Sequence, residues 1–360
     1  MMSRAGLLGS AALAATLFAV PTGAMSFTPL GFLPGGSRSV ANAISNDGTT
    51  VVGATSGSAF RWTATTGMVA LGNLPGGGSG AEAVSSNGSV IAGGGSSTNY
   101  ASEAISWTAP AYTPTSLLHY AGPAFTSAYG ASADGSVIVG ISGEAVRWVS
   151  GGAPLSLGTG TYSYAWDVSN DGGAIVGMAL FPNHDALYEA FRWTALTGAV
   201  RLGDLAVGNE DSRALGVSGD GNTIVGASGG RAFAWTAGTG MYALSNGASE
   251  ARDASGDGGV FVGYGYGSGS RSAALWNVLA PGWEYDLNQV AAAVLPAGWK
   301  LEDAFGVSAD GLSIVGSGTN PLGATEAWLL RLDTVPVPEP GTGALLGLGV
   351  VMLGVKRRCR

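Results

Sequence analysis

The chain reads Ala41-Asn42-Ala43-Ile44-Ser45-Asn46-Asp47-Gly48-Thr49-Thr50-Val51-Val52-Gly53 near its start, and the same skeleton returns six more times. Its fixed parts are an Ala, then four residues later Ser-x-Asp-Gly (Asn for Asp in the second copy), then a Gly after four more. A Trp follows the last Gly. The turns fall at Ser45-Asn46-Asp47-Gly48, Ser85-Ser86-Asn87-Gly88, Ser132-Ala133-Asp134-Gly135, Ser169-Asn170-Asp171-Gly172, Ser218-Gly219-Asp220-Gly221, Ser255-Gly256-Asp257-Gly258 and Ser308-Ala309-Asp310-Gly311. The Trp residues are Trp62, Trp107, Trp148, Trp193, Trp235, Trp276 and Trp328. A repeat of this period is the first thing to establish about a fold, because each unit must bury its apolar face against the next.

The unit reads as strands. Ala41 to Ser45 is a short apolar strand, and Asp47-Gly48 is expected to be a type I′ hairpin turn with both central residues at positive φ. Thr50 to Val52 returns, Ala59 to Trp62 alternates as a third strand, and Met68 to Leu74 is expected to be a fourth. Four strands in about 40 residues is the period of a propeller blade.

The ends of the array point to a closed ring. Leu30-Gly31-Phe32-Leu33-Pro34-Gly35-Gly36 stands before the first unit and matches Leu71-Gly72-Asn73-Leu74-Pro75-Gly76-Gly77 inside it. After the last Trp the pattern stops at Leu332 without that fourth segment. A spare strand at the start and a missing one at the end would pair and remove two sheet edges. A β-solenoid would not need complementary ends. The expected fold is all-β: a seven-bladed β-propeller over 25–334, closed by an N-terminal strand.

Composition agrees with this class. The 360 residues include 62 Gly, and only 11% are charged. Such a chain favours short strands and tight turns over long helices. Five of the 16 basic residues (Arg4, Lys356, Arg357, Arg358 and Arg360) lie outside residues 25–340, which keep 11 basic against 24 acidic residues, a net of −13. No nucleic-acid partner is expected, because that needs a basic footprint. The single cysteine, Cys359, lies in the tail, so the body holds no disulfide.

The two ends read as processing segments. Residues 1–24 form a signal peptide: Arg4, an apolar run from Ala5 to Val20, and small residues up to a cleavage site after Ala24. Residues 335–360 carry Pro338-Glu339-Pro340, an apolar stretch from Thr342 to Val355, and the basic cluster Lys356, Arg357, Arg358 and Arg360. The prolines keep the motif extended, and the basic cluster stays on the cytoplasmic side of the inner membrane. These three parts in this order resemble the PEP-CTERM sorting signal. The resemblance implies a transient encounter with an exosortase in the inner membrane, then release to the cell surface or outside, in bacteria that make exopolysaccharide or biofilm matrix.

The repeats themselves resemble the HAF repeat of bacterial extracellular proteins. Ala59-Phe60-Arg61-Trp62, Ala190-Phe191-Arg192-Trp193 and Ala232-Phe233-Ala234-Trp235 match its tail, although Ser58, Glu189 and Arg231 stand where its His would be. The resemblance implies a surface or matrix location and no agreed chemistry.

Little in the sequence points to catalysis. His119 and His184 are 65 positions apart and the body has no Cys, so no metal site or cofactor is expected and a Ser-His-Asp triad is disfavoured. One Asp per turn is too few for calcium. The acidic pairs Glu210-Asp211 and Glu302-Asp303 cannot each form an acid/base couple, because adjacent residues on a strand face opposite ways. A hydrolase or lyase would need carboxylates from different blades near the axis. The repeated Trp residues read as core.

Aromatic residues outside the repeat are the candidate ligand contacts: Tyr162, Tyr164 and Trp166 before the fourth turn, and Trp283, Tyr285 and Trp299 in the long sixth connection. Their rings suit sugar faces, with Asp286, Glu302 and Asp303 as hydrogen-bond acceptors. Packing under a long loop is the competing role. The expected function is non-enzymatic: binding exopolysaccharide or matrix proteins, or filling a matrix structurally.

Overall fold

The computed structural model describes residues 24–120, 125–181, 187–205, 211–267 and 269–337. The signal segment before Ala24 and the tail from Pro338 onward lie outside these residues, as does His184. Strands β1 (Ser26–Gly31), β2 (Ser39–Ile44), β3 (Thr50–Thr55), β4 (Ser58–Thr63) and β5 (Gly67–Ala70) open the chain. β2 to β5 form one antiparallel four-stranded sheet, and six more such sheets follow. In the seventh, β1 pairs with Thr325–Arg331 and completes the sheet from outside. The fold is a seven-bladed β-propeller whose first and last described strands pair in one blade.

The fourth strand is shorter than its sequence pattern, and it lies earlier. β5 ends at Ala70, and Leu71 to Gly77 is connection rather than strand. The closing strand is likewise Ser26–Gly31, before most of the matched segment. The match marks the exit from the outer strand. Leu30 and Leu71 are each buried there, sealing the space between blades, while Gly31 and Gly72 take positive φ.

Each constant residue of the repeat has a physical role. All seven Ala residues before the turns (Ala41, Ala81, Ala128, Ala165, Ala214, Ala251 and Ala304) are fully buried. The strand bulges immediately after each of them: Ala41 pairs with Gly53 and Ala43 with Val52, leaving Asn42 unpaired. The same register shift recurs in all seven blades. At the bulge the partner strand comes so close that a Cβ on Gly53 would sit 2.0 Å from the Val40 carbonyl oxygen. That contact requires Gly, which accounts for the constant Gly after the turn.

The turn differs from the expected type I′. Gly48 has φ +70° but Asp47 is not at positive φ. The Gly48 N–H donates to the Ser45 carbonyl at 2.8 Å, which makes a type I turn followed by a left-handed Gly. The reason lies in the Asp side chain. Asp47 Oδ1 accepts from the Thr49 N–H at 2.9 Å and from the Ser45 hydroxyl at 2.5 Å, while Ser45 Oγ accepts from the Thr50 N–H at 2.9 Å. Local side-chain bonding of this kind holds the Asp at negative φ.

Blades are joined by a second device. A Ser or Thr two residues before the buried Ala accepts a hydrogen bond from the third strand of the preceding blade. Ser39 takes the Ala327 N–H, Ser79 that of Ala59, Thr126 that of Ala104, Ser163 that of Ala145, Ser212 that of Ala190 and Ser249 that of Ala232. The seventh blade uses Asn288 from the helical turn α1 (Leu287–Val290) instead, which bonds both backbone groups of Leu301. The repeated Trp residues fill the cores between blades. Trp107, Trp148, Trp276 and Trp328 are essentially inaccessible, and Trp235 is half-buried.

Candidate functional site at the propeller axis

The first strand of each blade lies innermost. At the turn end a ring of backbone hydrogen bonds runs from blade to blade. Ser86 N donates to Ala133 O, Ala133 N to Asn170 O, Asn170 N to Gly219 O, Asp220 N to Gly256 O, Gly256 N to Ala309 O, Ala309 N to Asn46 O, and Asp47 N to Ser86 O, at 2.9–3.3 Å. Asn46 Nδ2 reaches across it to Asn170 Oδ1 at 2.8 Å. The second position of each Ser-x-Asp-Gly turn therefore closes over the axis.

Behind this ring lies an axial cavity of about 330 Å³. Its wall includes the bulged residue of every blade: Asn42, Glu82, Tyr129, Trp166, Leu215, Arg252 and Phe305. All seven are half-buried, none fully covered and none fully exposed. A bulge releases its residue from the pairing pattern and re-aims its side chain. The uniform repeat thus presents seven different side chains to one space: an amide, a carboxylate, a phenol, an indole, two hydrocarbons and a guanidinium.

Asp167 and Asp253 stand one position later and also line the cavity. Each ties two blades together. Asp167 accepts from the Val168 N–H at 2.8 Å and the Val217 N–H at 2.9 Å, and Asp253 from Ala254 at 2.7 Å and Val307 at 2.8 Å. Burial pushes Asp167 up to about 8, helped by the charge of Asp253, although the two backbone N–H groups pull the other way. Burial pushes Asp253 up to about 6. Glu82 is pushed up to about 7 by burial alone.

A charged network joins the fifth, sixth and seventh blades and reaches the cavity wall through Glu250 and Arg252. Arg252 bonds Glu250 at 3.1 Å and lies 3.9 Å from Asp303, with its guanidinium over the Phe305 ring at 4.5 Å. Arg213 also pairs with Glu250, and Arg271 pairs with Asp303 at 2.5 Å while sitting over Tyr264 at 3.8 Å. The arginines of this network are therefore already engaged.

The six candidate aromatics divide. Trp166 belongs to the axial wall, and Tyr164 stacks on it with centroids 5.9 Å apart and planes 16° apart. Tyr162 is 65% exposed on the bend before that strand, away from them. Trp299 packs edge-on against Phe27 at 5.0 Å, and Tyr285 is partly buried in the same core. Trp283 is 59% exposed in the sixth connection. The structure does not bring the two groups together.

The acceptors suggested for them are also occupied. Asp286 caps α1 through the Asn288 N–H and takes the Ser272 hydroxyl, Asp303 is ion-paired, and Glu302 takes the Thr319 hydroxyl at 3.2 Å. Asp211 accepts from the Tyr188 N–H, and Glu210 lies outside the described residues. The carboxyl groups that line the axial cavity are Glu82, Asp167, Glu250 and Asp253. Among the described residues, no group of three or more His, Cys, Asp or Glu side chains is placed to hold a metal ion.

The described chain ends beside the sixth blade. Val335 packs on the core of the last two blades, and the Pro336 carbonyl accepts from Asn277 Nδ2 at 2.5 Å. Residues 336–360 match the PEP-CTERM protein-sorting motif. The C-terminus is a PEP-CTERM sorting motif. It starts on the propeller surface at Pro336, and Pro338, Glu339, Pro340 and the basic cluster follow outside the described residues. The PEP-CTERM motif implies export, sorting to the cell surface and processing by an exosortase at the membrane. Among the described residues, no helix is long and apolar enough to cross a membrane.

No curated protein matches the chain. Solved structures share its fold. An oligogalacturonate lyase from Vibrio parahaemolyticus aligns with TM-score 0.54 at 11% identity, over 87% of this chain and 94% of that one. A chain of the Mitotic Checkpoint Complex aligns with TM-score 0.51 at 16% identity, over 89% and 99%. TolB from Acinetobacter baumannii gives 0.45 at 16% identity over 70% of this chain, which spans 66% of that TolB, just under two thirds. At such identities the likeness concerns the fold alone.

Proposed function

We propose that this chain is an exported, exosortase-sorted surface propeller that binds polysaccharide at its axial face without catalysis, as part of an extracellular matrix. The observation that carries the reading is the ring of seven dissimilar half-buried side chains on an otherwise uniform repeat. Tyr129, Trp166 and Phe305 supply flat apolar faces, and Asn42 and Glu82 supply polar groups. That mixture in one concave space suits sugar rings, whose faces are apolar and whose edges carry hydroxyls. The HAF-type resemblance of the repeats points to the same location.

A hydrolase or lyase acting through Asp167 and Asp253 is the second reading, because both carboxyls share the cavity and hold protons more tightly than usual. Against it, each already accepts two backbone N–H groups that fix it between blades. The two readings separate in one experiment. Mature chain is mixed with exopolysaccharide from the producing cells, and co-sedimentation and release of reducing ends are followed together. Saturable co-sedimentation without release supports binding. Release that Asp167→Asn abolishes would establish the enzyme instead.

A further inference from the structure

We propose that Glu82 anchors the ammonium group of an amine-bearing polysaccharide, a partly deacetylated hexosamine polymer, that runs from the axial cavity into a groove across the first three blades. This rests on the polysaccharide reading above and names the class of sugar.

Glu82 lines two spaces at once. One is the axial cavity, and the other is a groove of about 400 Å³ bordered by Gly57, Gly80, Gly94, Ser102, Phe125 and Ser127. The groove is lined mainly by glycine and serine, so few large side chains stand in the way of a linear polymer. Phe125 stands exposed at its edge. The Glu82 carboxylate lies above Gly80, its Oε1 3.5 Å from where a Cβ would be.

Glu82 differs from its acidic neighbours. Glu250 and Asp303 face arginines, and Asp167 and Asp253 each accept two backbone N–H groups. No described residue donates a hydrogen bond to Glu82, and no cation pairs with it. The phenol of Tyr129, itself hydrogen-bonded to Ser127, is the titratable group whose electrostatics couple to it. A half-buried carboxylate that no protein group bonds keeps its acceptor positions open toward the cavity and the groove, and a ligand that brings a charged donor can fill them.

The remaining charges choose among ligands. Around the cavity Glu82, Asp253 and Glu250 outnumber Arg252, which is already paired. Uronate polymers would bring carboxylates against these acids. Tyr129, Trp166 and Phe305 in the same cavity favour sugar rings over a basic peptide, because they offer planar faces to pyranose C–H surfaces.

The test is calorimetric titration of the mature chain with four hexamers: glucosamine, N-acetylglucosamine, cellohexaose and hexagalacturonate, with hexalysine as a fifth ligand. The expected order places glucosamine first, the two neutral hexamers weaker, and hexagalacturonate without binding. Glu82→Gln is expected to weaken the glucosamine hexamer by about tenfold, the difference between a charge-assisted and a neutral hydrogen bond, and to leave cellohexaose within about twofold. The variant keeps the shape and removes an unpaired charge, so its thermal stability should equal or exceed that of the parent. Neutral hexamers that bind as well as glucosamine, or a Glu82→Gln variant indifferent to the amine, would overturn the role of Glu82 and leave the polysaccharide reading standing. Hexalysine that binds more tightly than glucosamine would overturn the sugar class. Failure of every saccharide to bind would sink the polysaccharide reading itself.

Discussion

Asn46 and Asn170 stand 124 positions apart in sequence, yet their side-chain amides meet at 2.8 Å across the propeller axis. They can do so because the two turns that carry them belong to a closed backbone ring in which each blade's turn bonds the next. The side-chain bridge is exposed and the ring beneath it is backbone. Asn46→Ala is therefore expected to change stability by less than about 0.5 kcal/mol. The turn amides of Ala133, Asn170 and Gly256, in contrast, should exchange with solvent as slowly as strand amides. Fast exchange at these positions would mean that the ring does not persist in solution.

Ser163 illustrates how blades are joined. Its hydroxyl accepts the Ala145 N–H at 2.9 Å and donates to the Gly160 carbonyl at 2.6 Å, and the residue is fully buried. Ser163→Ala leaves the Ala145 N–H without a partner. The expected loss is about 1–3 kcal/mol in denaturant unfolding, with an unchanged m-value. A neutral substitution would show that the hydroxyl is incidental to blade docking.

Closure of the ring rests on β1. Leu30 is buried between the first and seventh blades, and the Gly31 N–H donates to Glu326 at 3.0 Å. Leu30→Ala is expected to cost about 2–5 kcal/mol. Removing β1 leaves the Thr325–Arg331 strand with an open edge and should promote association between copies, visible by sedimentation. A monomeric, equally stable truncation would contradict closure by this strand.

Stability should vary with pH in two opposed ways. Asp134 is held below the ordinary 3.8 mainly by the Ser136 N–H, and Asp171 mainly by the Ser169 hydroxyl. For these turns the folded state binds fewer protons than the unfolded state, so their contribution is present above about pH 4 and is lost as pH falls further. Glu82, Asp167 and Asp253 are raised by burial to about 7, 8 and 6. For them the folded state holds protons that the unfolded state releases, so stability declines as pH rises from about 4 to about 8. Thermal melts should peak at about pH 4–5, and Asp167→Asn with Asp253→Asn should flatten the decline above it. A melting temperature that rises between pH 5 and 8 would refute this.

The ring of blades was legible because the repeat encodes it at constant positions. Ala41, Gly53 and Trp62 each meet a steric demand that allows little substitution, and the spare segment at Leu30 revealed how the ring closes. The turn type was less legible. Asp-Gly satisfies both I′ and type I turns, and only the Ser45 and Thr49 contacts to Asp47 choose between them. The strand at Met68 ends at Ala70, although Leu71 to Gly77 continues a regular pattern, because that segment is not hydrogen-bonded as a strand.

The axial site was hidden for a related reason. Attention to constant residues passes over the position after Ala41, where Asn, Glu, Tyr, Trp, Leu, Arg and Phe alternate among blades. That variation inside a fixed frame was the available signal, because a residue with no packing duty is free to differ. In sequence Trp166 stands out by its neighbours Tyr162 and Tyr164 rather than by its place in this ring. Trp299 looked available in sequence because its partner Phe27 comes from the far end of the chain.

The most direct test of the account compares two aromatic variants in co-sedimentation with exopolysaccharide from the producing cells. Tyr129→Ala with Trp166→Ala removes two faces of the axial ring, and Trp283→Ala removes the exposed ring of the sixth connection. The account predicts that the axial pair loses saturable binding while Trp283→Ala binds as the parent does. Binding that survives the axial pair and disappears with Trp283→Ala would contradict it and move the site to the propeller's outer edge.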